Sequence, residues 1–151
     1  MKSLYENDYY SWTYQQLELI KQGKFDDLDI ENLLEEIEDM GKSRYRALES
    51  SLGQLILHLL KWQMQSSKKD DLHDKERWYR SWVVSINKQR RKAKKELAEN
   101  PGLKPKVNEI MVKAYWWARE EAADDLNCKM SDFPTQCPWS YNKIMTKDWL
   151  P

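Results

Sequence analysis

The chain has few of the residues that break helices or cross-link small folds. It contains four glycines, five prolines and two cysteines in 151 residues. β-Branched residues are sparse as well, and no segment sustains the alternation of apolar and polar residues that marks a half-buried strand. These absences argue against a β-sheet protein and predict an all-α fold.

Long hydrophobic runs are also missing. The longest uncharged apolar run, 55–60, is interrupted by His58, and the mean hydropathy of the chain is −0.92. We therefore expect no transmembrane helix and no membrane partner. The first residues, MKSLYENDYY, lack the apolar segment of a signal peptide, so we expect a cytoplasmic protein.

The chain has no excess of charge of either sign. Lys+Arg and Asp+Glu both number 25, which gives a formal net charge of zero. This balance argues against a dedicated nucleic-acid or anionic-membrane surface, although it is compatible with a local patch. Cys128 and Cys137 do not form a C-x-x-C motif, and we expect them to be free thiols.

Motifs that carry chemistry are absent too. There is no glycine-rich phosphate loop, no nucleophile elbow and no His-Glu-x-x-His sequence. The Glu-x-x-His pairs of di-metal bundles are also missing, and the nearest imitation, Asp70-x-x-His73, lies in a polar segment that we interpret as a loop, 66–73. We predict no cofactor, and these absences argue against a metal site.

Helical periodicity, in contrast, is abundant, and it is strongest between Leu28 and Trp62. Apolar residues recur there at spacings of three and four: Ile30, Leu33, Leu34, Ile37, Met40, Gly41, Leu48, Leu52, Leu55, Leu59 and Trp62. Asp29 is the expected N-cap. Either one helix runs through Gly41 or two helices meet there. We favour a kink or a close helix crossing, because an interior glycine costs a helix roughly 1 kcal/mol.

Three other long helices are predicted around this stretch. They run from Asp8 to about Gln22, from Asp74 to about Asn100 and from Pro105 to about Asn127. Their expected buried faces are, in chain order, Tyr9, Trp12, Leu17 and Ile20, then Trp78, Trp82, Ile86, Ala93 and Leu97, then Val107, Ile110, Met111, Ala114, Ala118 and Ala122. The alanines of the last face predict close contact between helices.

The segment from Met130 differs in composition from the helices that precede it. Prolines give it an extended backbone, Ser140 is placed to cap a short final helix through Met145, and its many aromatic residues predict a tail that docks on the helices. We therefore expect a single domain, 1–151, which is a compact bundle of five to six helices with both halves of the central stretch in its core.

Several strings of residues resemble one family. They include N-L-x-E-E-I-E-x-M-G from Asn32 to Gly41, H-L-L-K-W from His58 to Trp62, and Cys137-Pro138-Trp139. The chain is similar over nearly its whole length to the bacterial domain-of-unknown-function family twenty-nine, which is abundant in cyanobacteria. The resemblance implies a small all-helical fold and implies no activity.

One hypothesis for a site is a small metal-dependent hydrolase or nuclease. Glu31, Glu35 and Glu38 share a broad helix face, and Glu35 and Glu38 would be the catalytic carboxylates. His58 would act as a general base and Arg80 would lie nearby, provided that the chain folds back near Gly41. We favour the alternative, in which the carboxylates form a solvated face and His58 hydrogen-bonds across a helix interface, to the backbone or to Glu36 or Glu38.

A second hypothesis is nucleic-acid binding through the basic helix 88–95. Its expected outer face contains Lys88, Arg90, Arg91, Lys92, Lys94 and Lys95, and we single out Lys88, Arg91 and Lys95 as binding candidates. The acidic segment Asp26–Asp39 would repel nucleic acid unless it faced away. We favour pairing of the acidic and basic helices, within one chain or across a dimer.

A third hypothesis concerns Trp116, which points almost opposite to the apolar stripe of its helix. An outward tryptophan is a typical interface anchor, unless the aromatic tail covers it through Phe133 or Trp139. We therefore favour a non-catalytic domain that binds another protein or a second copy of itself. The sequence leaves open the partner, any substrate and the oligomeric state.

Overall fold

The computed structural model describes residues 1–66 and 75–151. It contains six α-helices: α1 (Leu4–Asn7), α2 (Tyr9–Lys21), α3 (Ile30–Gln65), α4 (Lys75–Glu99), α5 (Val107–Asp125) and α6 (Tyr141–Ile144). No strand occurs in the described ranges, so the all-α prediction is confirmed. The predicted cap Asp74 and the Asp70-x-x-His73 sequence lie outside the described residues. In the part that is described, no helix is long and apolar enough to cross a membrane.

The contacts of the chain cluster into two units, Met1–Ser43 (unit 1) and Arg44–Pro151 (unit 2). The boundary falls inside α3. The assignment of residues 1–151 to a single domain stays a prediction.

Three helices begin where the sequence predicts a cap. The Asp8 carboxylate accepts from the Ser11 amide at 3.1 Å, and the Ser140 hydroxyl accepts from the Lys143 amide at 3.2 Å. The Asp29 carboxylate accepts from the Asn32 amide at 3.4 Å. Each bond satisfies an amide that the first turn of a helix leaves without a partner, which is why these polar residues fix the helix starts.

One helix runs through Gly41, because α3 is helical from Ile30 to Gln65, so the alternative of two helices that meet there is wrong. A close crossing at Gly41 is wrong as well, since a Cβ atom built there meets nothing within 4 Å. The close approach occurs at Gly53, where a Cβ atom would lie 2.8 Å from Cε3 of Trp117 on α5. The glycine with a packing role is therefore twelve residues further along α3.

Unit 2 has a dense apolar core. The second half of the α3 stripe is fully buried, as predicted, and it packs with buried residues of α4 and α5: Leu48, Leu52, Leu55, Leu59, Ile86, Ala93, Ile110, Ala114, Ala118 and Ala122. The alanines of α5 have small side chains, which lets neighbouring helices approach closely. Trp62 stacks on Trp78 with ring centroids 5.0 Å apart, so α3 and α4 are neighbours in this unit.

The extended tail is docked in unit 2 by two buried arginines, which donate to its backbone. Arg119 donates to the carbonyls of Met130 at 3.0 Å and Phe133 at 3.2 Å. Arg90 donates to the carbonyls of Ile144, at 2.7 Å, and Trp149. Placing Arg90 on the outer basic face of α4 was wrong, since only 5% of this residue is exposed. Its long side chain turns inward because the tail supplies acceptors there.

Unit 1 does not have the core that its stripes predict. Its fully buried residues are Trp12 and Gln16. Tyr9, Leu17 and Ile20 of α2 are exposed. In the first half of the α3 stripe Leu33 is partly buried, whereas four large apolar residues are exposed: Ile30, Leu34, Ile37 and Met40. The expectation that both halves of the central stretch form the core is therefore wrong for the first half. Periodicity identifies an apolar face, but it does not identify what covers that face.

Candidate interaction site

Polar contacts attach α1 and α2 to one side of α3 in unit 1. The Glu36 carboxylate accepts from the hydroxyls of Tyr5 at 2.5 Å and Tyr9 at 2.6 Å. These bonds, with Tyr5 contributing more than Tyr9, hold the pKa of Glu36 below its ordinary value. The Asp29 carboxylate accepts from the Trp12 indole at 2.9 Å. Asp29 and Glu36 are two turns apart on α3, so this face of the helix is occupied.

A different face of α3 carries exposed apolar residues. Ile30, Leu34, Ile37 and Met40, which we call the apolar ridge, are 53%, 58%, 63% and 69% exposed, respectively. They fall within eleven consecutive residues of one helix, so they form a contiguous strip rather than scattered single residues. Contiguous exposed apolar surface of this kind is a mark of an interaction site.

Carboxylates run beside this ridge. Glu31, Glu35 and Glu38, which we call the acidic row, are exposed, and Glu31 and Glu38 lie three residues before and four residues after Leu34. The Lys42 ammonium approaches Glu38 at 3.9 Å, whereas Glu31 and Glu35 make no ion pair with any described residue. Unit 1 contains 4 Lys+Arg and 11 Asp+Glu, which gives it a formal charge of −7. The ridge therefore lies in a strongly acidic unit.

Unit 2 has the opposite charge, +7, because it contains 21 Lys+Arg and 14 Asp+Glu. Much of this charge lies on α4. Lys88, Arg91 and Lys95, which we call the basic row, are exposed and share one helix face with the exposed Val84. Within the described ranges Lys88 and Arg91 make no ion pair, and Lys95 approaches only Glu99, at 3.8 Å.

The residues of the hydrolase hypothesis are not assembled into a site. The fold-back near Gly41 that this hypothesis requires does not occur, because α3 is unbroken. Glu35 and Glu38 are exposed, and the Arg80 guanidinium pairs with Glu76 at 2.6 Å on the surface of α4. The described residues contain no group of three or more His, Cys, Asp or Glu side chains that could hold a metal ion.

His58 has a structural environment in unit 2. Its Nδ1 lies 2.7 Å from the Gln54 carbonyl, one turn earlier on α3, and its ring meets the Trp82 ring edge-on with centroids 6.0 Å apart. The predicted bond across a helix interface is wrong, because this bond stays within α3, and its partner is a backbone carbonyl and neither Glu36 nor Glu38. This contact orients the imidazole without offering it a carboxylate partner.

Trp116 remains half exposed, so the tail does not bury it. The Arg119 guanidinium lies 5.3 Å from the centroid of its ring. The ring lines a pocket of about 690 Å³ between α5 and the tail, together with Asn108, Met111, Val112, Tyr115, Thr135, Gln136, Cys137, Trp139, Ser140 and Tyr141. Burial raises the pKa of the Cys137 thiol, which favours its protonated form at neutral pH.

The strongest features for interaction are thus the apolar ridge with its acidic row and the basic row of α4. Sequence reasoning named most of these charged residues, but it assigned the ridge to the core.

The comparisons with known proteins add a family and no activity. A family model described as domain of unknown function DUF29 matches residues 4–150. No curated protein and no solved structure matches the chain. The chain belongs to the DUF29 family.

Proposed function

We propose that the protein is a non-catalytic, self-associating domain, in which the apolar ridge and acidic row of one copy dock on the basic row of a second copy. The observation that carries this proposal is the matching spacing of the two rows. Read along α3, the acidic row has spacings of four and then three residues: Glu31, Glu35 and Glu38. Read backwards along α4, the basic row has the same spacings: Lys95, Arg91 and Lys88.

An antiparallel pair of helices brings all three opposite charges together at once. In both rows the first and last residues are seven positions apart, which is roughly 10 Å of helix at about 1.5 Å per residue. The aliphatic stems of Lys88 and Lys95 would lie on the apolar ridge while their ammonium groups reach the carboxylates beside it. The exposed Val84 extends the apolar contact by one turn. The formal charges of the two units, −7 and +7, favour the same pairing over distance.

Charge reversal tests this proposal. In one triple variant Glu31, Glu35 and Glu38 are replaced by Lys, and in the other Lys88, Arg91 and Lys95 are replaced by Glu. Sedimentation equilibrium should show that the wild type self-associates and that each triple variant alone is monomeric. An equimolar mixture should associate again, because each contact in it then joins opposite charges. Raising NaCl from about 0.05 M to about 0.5 M should weaken wild-type association.

A matched control distinguishes an effect of the acidic row on association from an effect of net charge. Glu18, Asp26 and Asp27 are exposed acids of unit 1 outside the row, and replacing all three by Lys changes the net charge by the same amount. That variant should still self-associate. A wild type that stays monomeric at all concentrations, or a mixture that fails to associate, would overturn the proposal.

We also keep the prediction of a cytoplasmic protein, where both cysteines would stay reduced. Cys128 and Cys137 are free thiols in the structure, which agrees with such a compartment.

A further inference from the structure

Another group of positive charges in unit 2 surrounds a pocket. The pocket has a volume of about 290 Å³ and lies between the second half of α4 and the tail. It is lined by Asn87, Arg90, Arg91, Lys94, Met145 and Lys147. Four of these six residues are cations and none is a carboxylate. Among the residues that the structure describes, these four cations have no ion-pair partner within 4 Å.

The buried guanidinium of Arg90 gives this pocket its unusual character. Its partners are neutral oxygens: the Ile144 and Trp149 carbonyls and the side-chain amide of Asn87. A guanidinium has five N–H groups, and these bonds use three of them. One N–H on each terminal nitrogen therefore has no acceptor in the described part of the chain.

A buried charge without a counterion is costly, and an anion in the pocket would reduce that cost. The neighbouring Asp148 supplies part of the compensation, since its carboxylate raises the pKa of Arg90 while burial lowers it more strongly. Asp148 is itself bonded to Asn87, whose side-chain amide donates to it at 2.8 Å. Asp148 does not line the pocket, whose lining contains four cations and no carboxylate.

We propose that this pocket binds the phosphate group of a small phosphorylated molecule. Arg90 has two further N–H donors for phosphate oxygens, and guanidinium groups bind phosphate well. Arg91, Lys94 and Lys147 add three cations, and Met145 forms an apolar wall. The pocket is at the small end of the roughly 300–1,000 Å³ of ordinary ligand sites, which favours a compact anion. Arg91 lines the pocket and also belongs to the basic row, whereas Lys94 and Lys147 belong to neither charged row. Substituting Lys94 or Lys147 therefore tests the pocket separately from self-association.

Calorimetric titration with inorganic phosphate and with pyrophosphate, at constant ionic strength, tests the site. The wild-type protein should bind both probes, and Lys94→Gln and Lys147→Gln should each weaken binding by about tenfold, because each removes a charged donor. Lys92→Gln is the matched control, since Lys92 is exposed on the same helix and does not line the pocket. It should change affinity by less than about twofold.

The unliganded variants should melt at the wild-type temperature, which separates a binding defect from a folding defect. Two results would overturn the proposal. One is the absence of heat with both probes. The other is an equal loss of affinity in Lys92→Gln and Lys94→Gln, which would indicate diffuse attraction. A parallel titration with duplex DNA tests nucleic-acid binding as the rival explanation. If the protein binds DNA tightly but does not bind phosphate, and if Lys88→Gln, Lys92→Gln and Lys94→Gln weaken DNA binding equally, then α4 is a nucleic-acid interface.

Discussion

Units 1 and 2 each contain part of α3, but different interactions stabilise them. Unit 2 buries a continuous set of leucines, isoleucines and alanines, whereas unit 1 fully buries one tryptophan and one glutamine and relies on hydrogen bonds to Asp29 and Glu36. The same amphipathic periodicity runs through both halves of α3. The difference teaches that an apolar stripe can serve as core in one place and as an exposed surface in another.

The largest expected difference in stability is between truncating a leucine in the first half of α3 and truncating one in the second half. Leu59 is fully buried, so Leu59→Ala should lower the free energy of unfolding by about 3 kcal/mol through lost burial and the cavity it leaves. Leu34 is 58% exposed, so Leu34→Ala should change it by less than about 0.5 kcal/mol. Urea unfolding at low protein concentration measures both. Equal losses would mean that the ridge is covered within the native fold.

Two glycines of α3 provide a sharper and smaller test. Gly53→Ala places a methyl group against the Trp117 ring, so we expect a loss of about 1–2 kcal/mol after the gain in helix propensity. Gly41→Ala meets open space, so we expect a gain of roughly 0.5–1 kcal/mol. Thermal melting measures both changes. In a Trp117→Val background the penalty at Gly53 should largely disappear, and a penalty that persists would contradict the proposed clash.

The smallest expected effect is the response of unit 1 to acid. The pKa of Glu36 is lowered from 4.5 in the folded state, so its contribution to stability is present above that value and is lost as the pH falls through the folded pKa. Asp29 behaves in the same way, because Asn32 and then Trp12 donate to it and lower its pKa. Unit 1 should therefore loosen below about pH 4, before the apolar core of unit 2.

The indole N–H signals of Trp12 and Trp62 report the two units separately in NMR spectra. On acidification the Trp12 signal should change first, because its indole donates to Asp29. Among its described residues, unit 2 has one comparable pair, in which the Tyr45 hydroxyl donates to Glu109 at 2.7 Å and lowers the pKa of that carboxyl. The leucine core of unit 2 has no group that titrates. A Glu36→Gln variant should reduce the difference in pH response, and simultaneous changes of both indoles would contradict it.

Much of the fold is predictable because its causes are local. Asp8, Asp29 and Ser140 cap helices through bonds to amides a few residues away, and the period of 3.6 identifies the buried face of α5. The role of Gly53 is not predictable in this way, because it depends on a ring 64 residues further along the chain. Arg90 illustrates the same limit, since its burial depends on tail carbonyls that no helical pattern reveals.

The candidate site also has features that the sequence predicts and features that it does not predict. Sequence reasoning singles out Glu35, Glu38, Lys88, Arg91 and Lys95 because charge patterns are visible in one dimension. It assigns the apolar ridge to the core, because the sequence of a helix does not say whether its partner belongs to the same chain. The uncovered ridge and the phosphate pocket become apparent only when exposure and neighbours are known.

The docking of the tail on Arg90 and Arg119 has a consequence for how the chain tolerates change. Both arginines donate hydrogen bonds to main-chain carbonyl oxygens, which every amino acid has. Substitutions at Met130, Ile144 or Trp149 therefore leave the acceptors in place, while the specificity of attachment resides in two helix positions. Exposed positions of the carboxy-terminal segment, such as Thr135, Gln136 and Lys147, can thus vary, and with them the lining of the adjacent pockets, while the buried Phe133 and Ile144 are also held by the core.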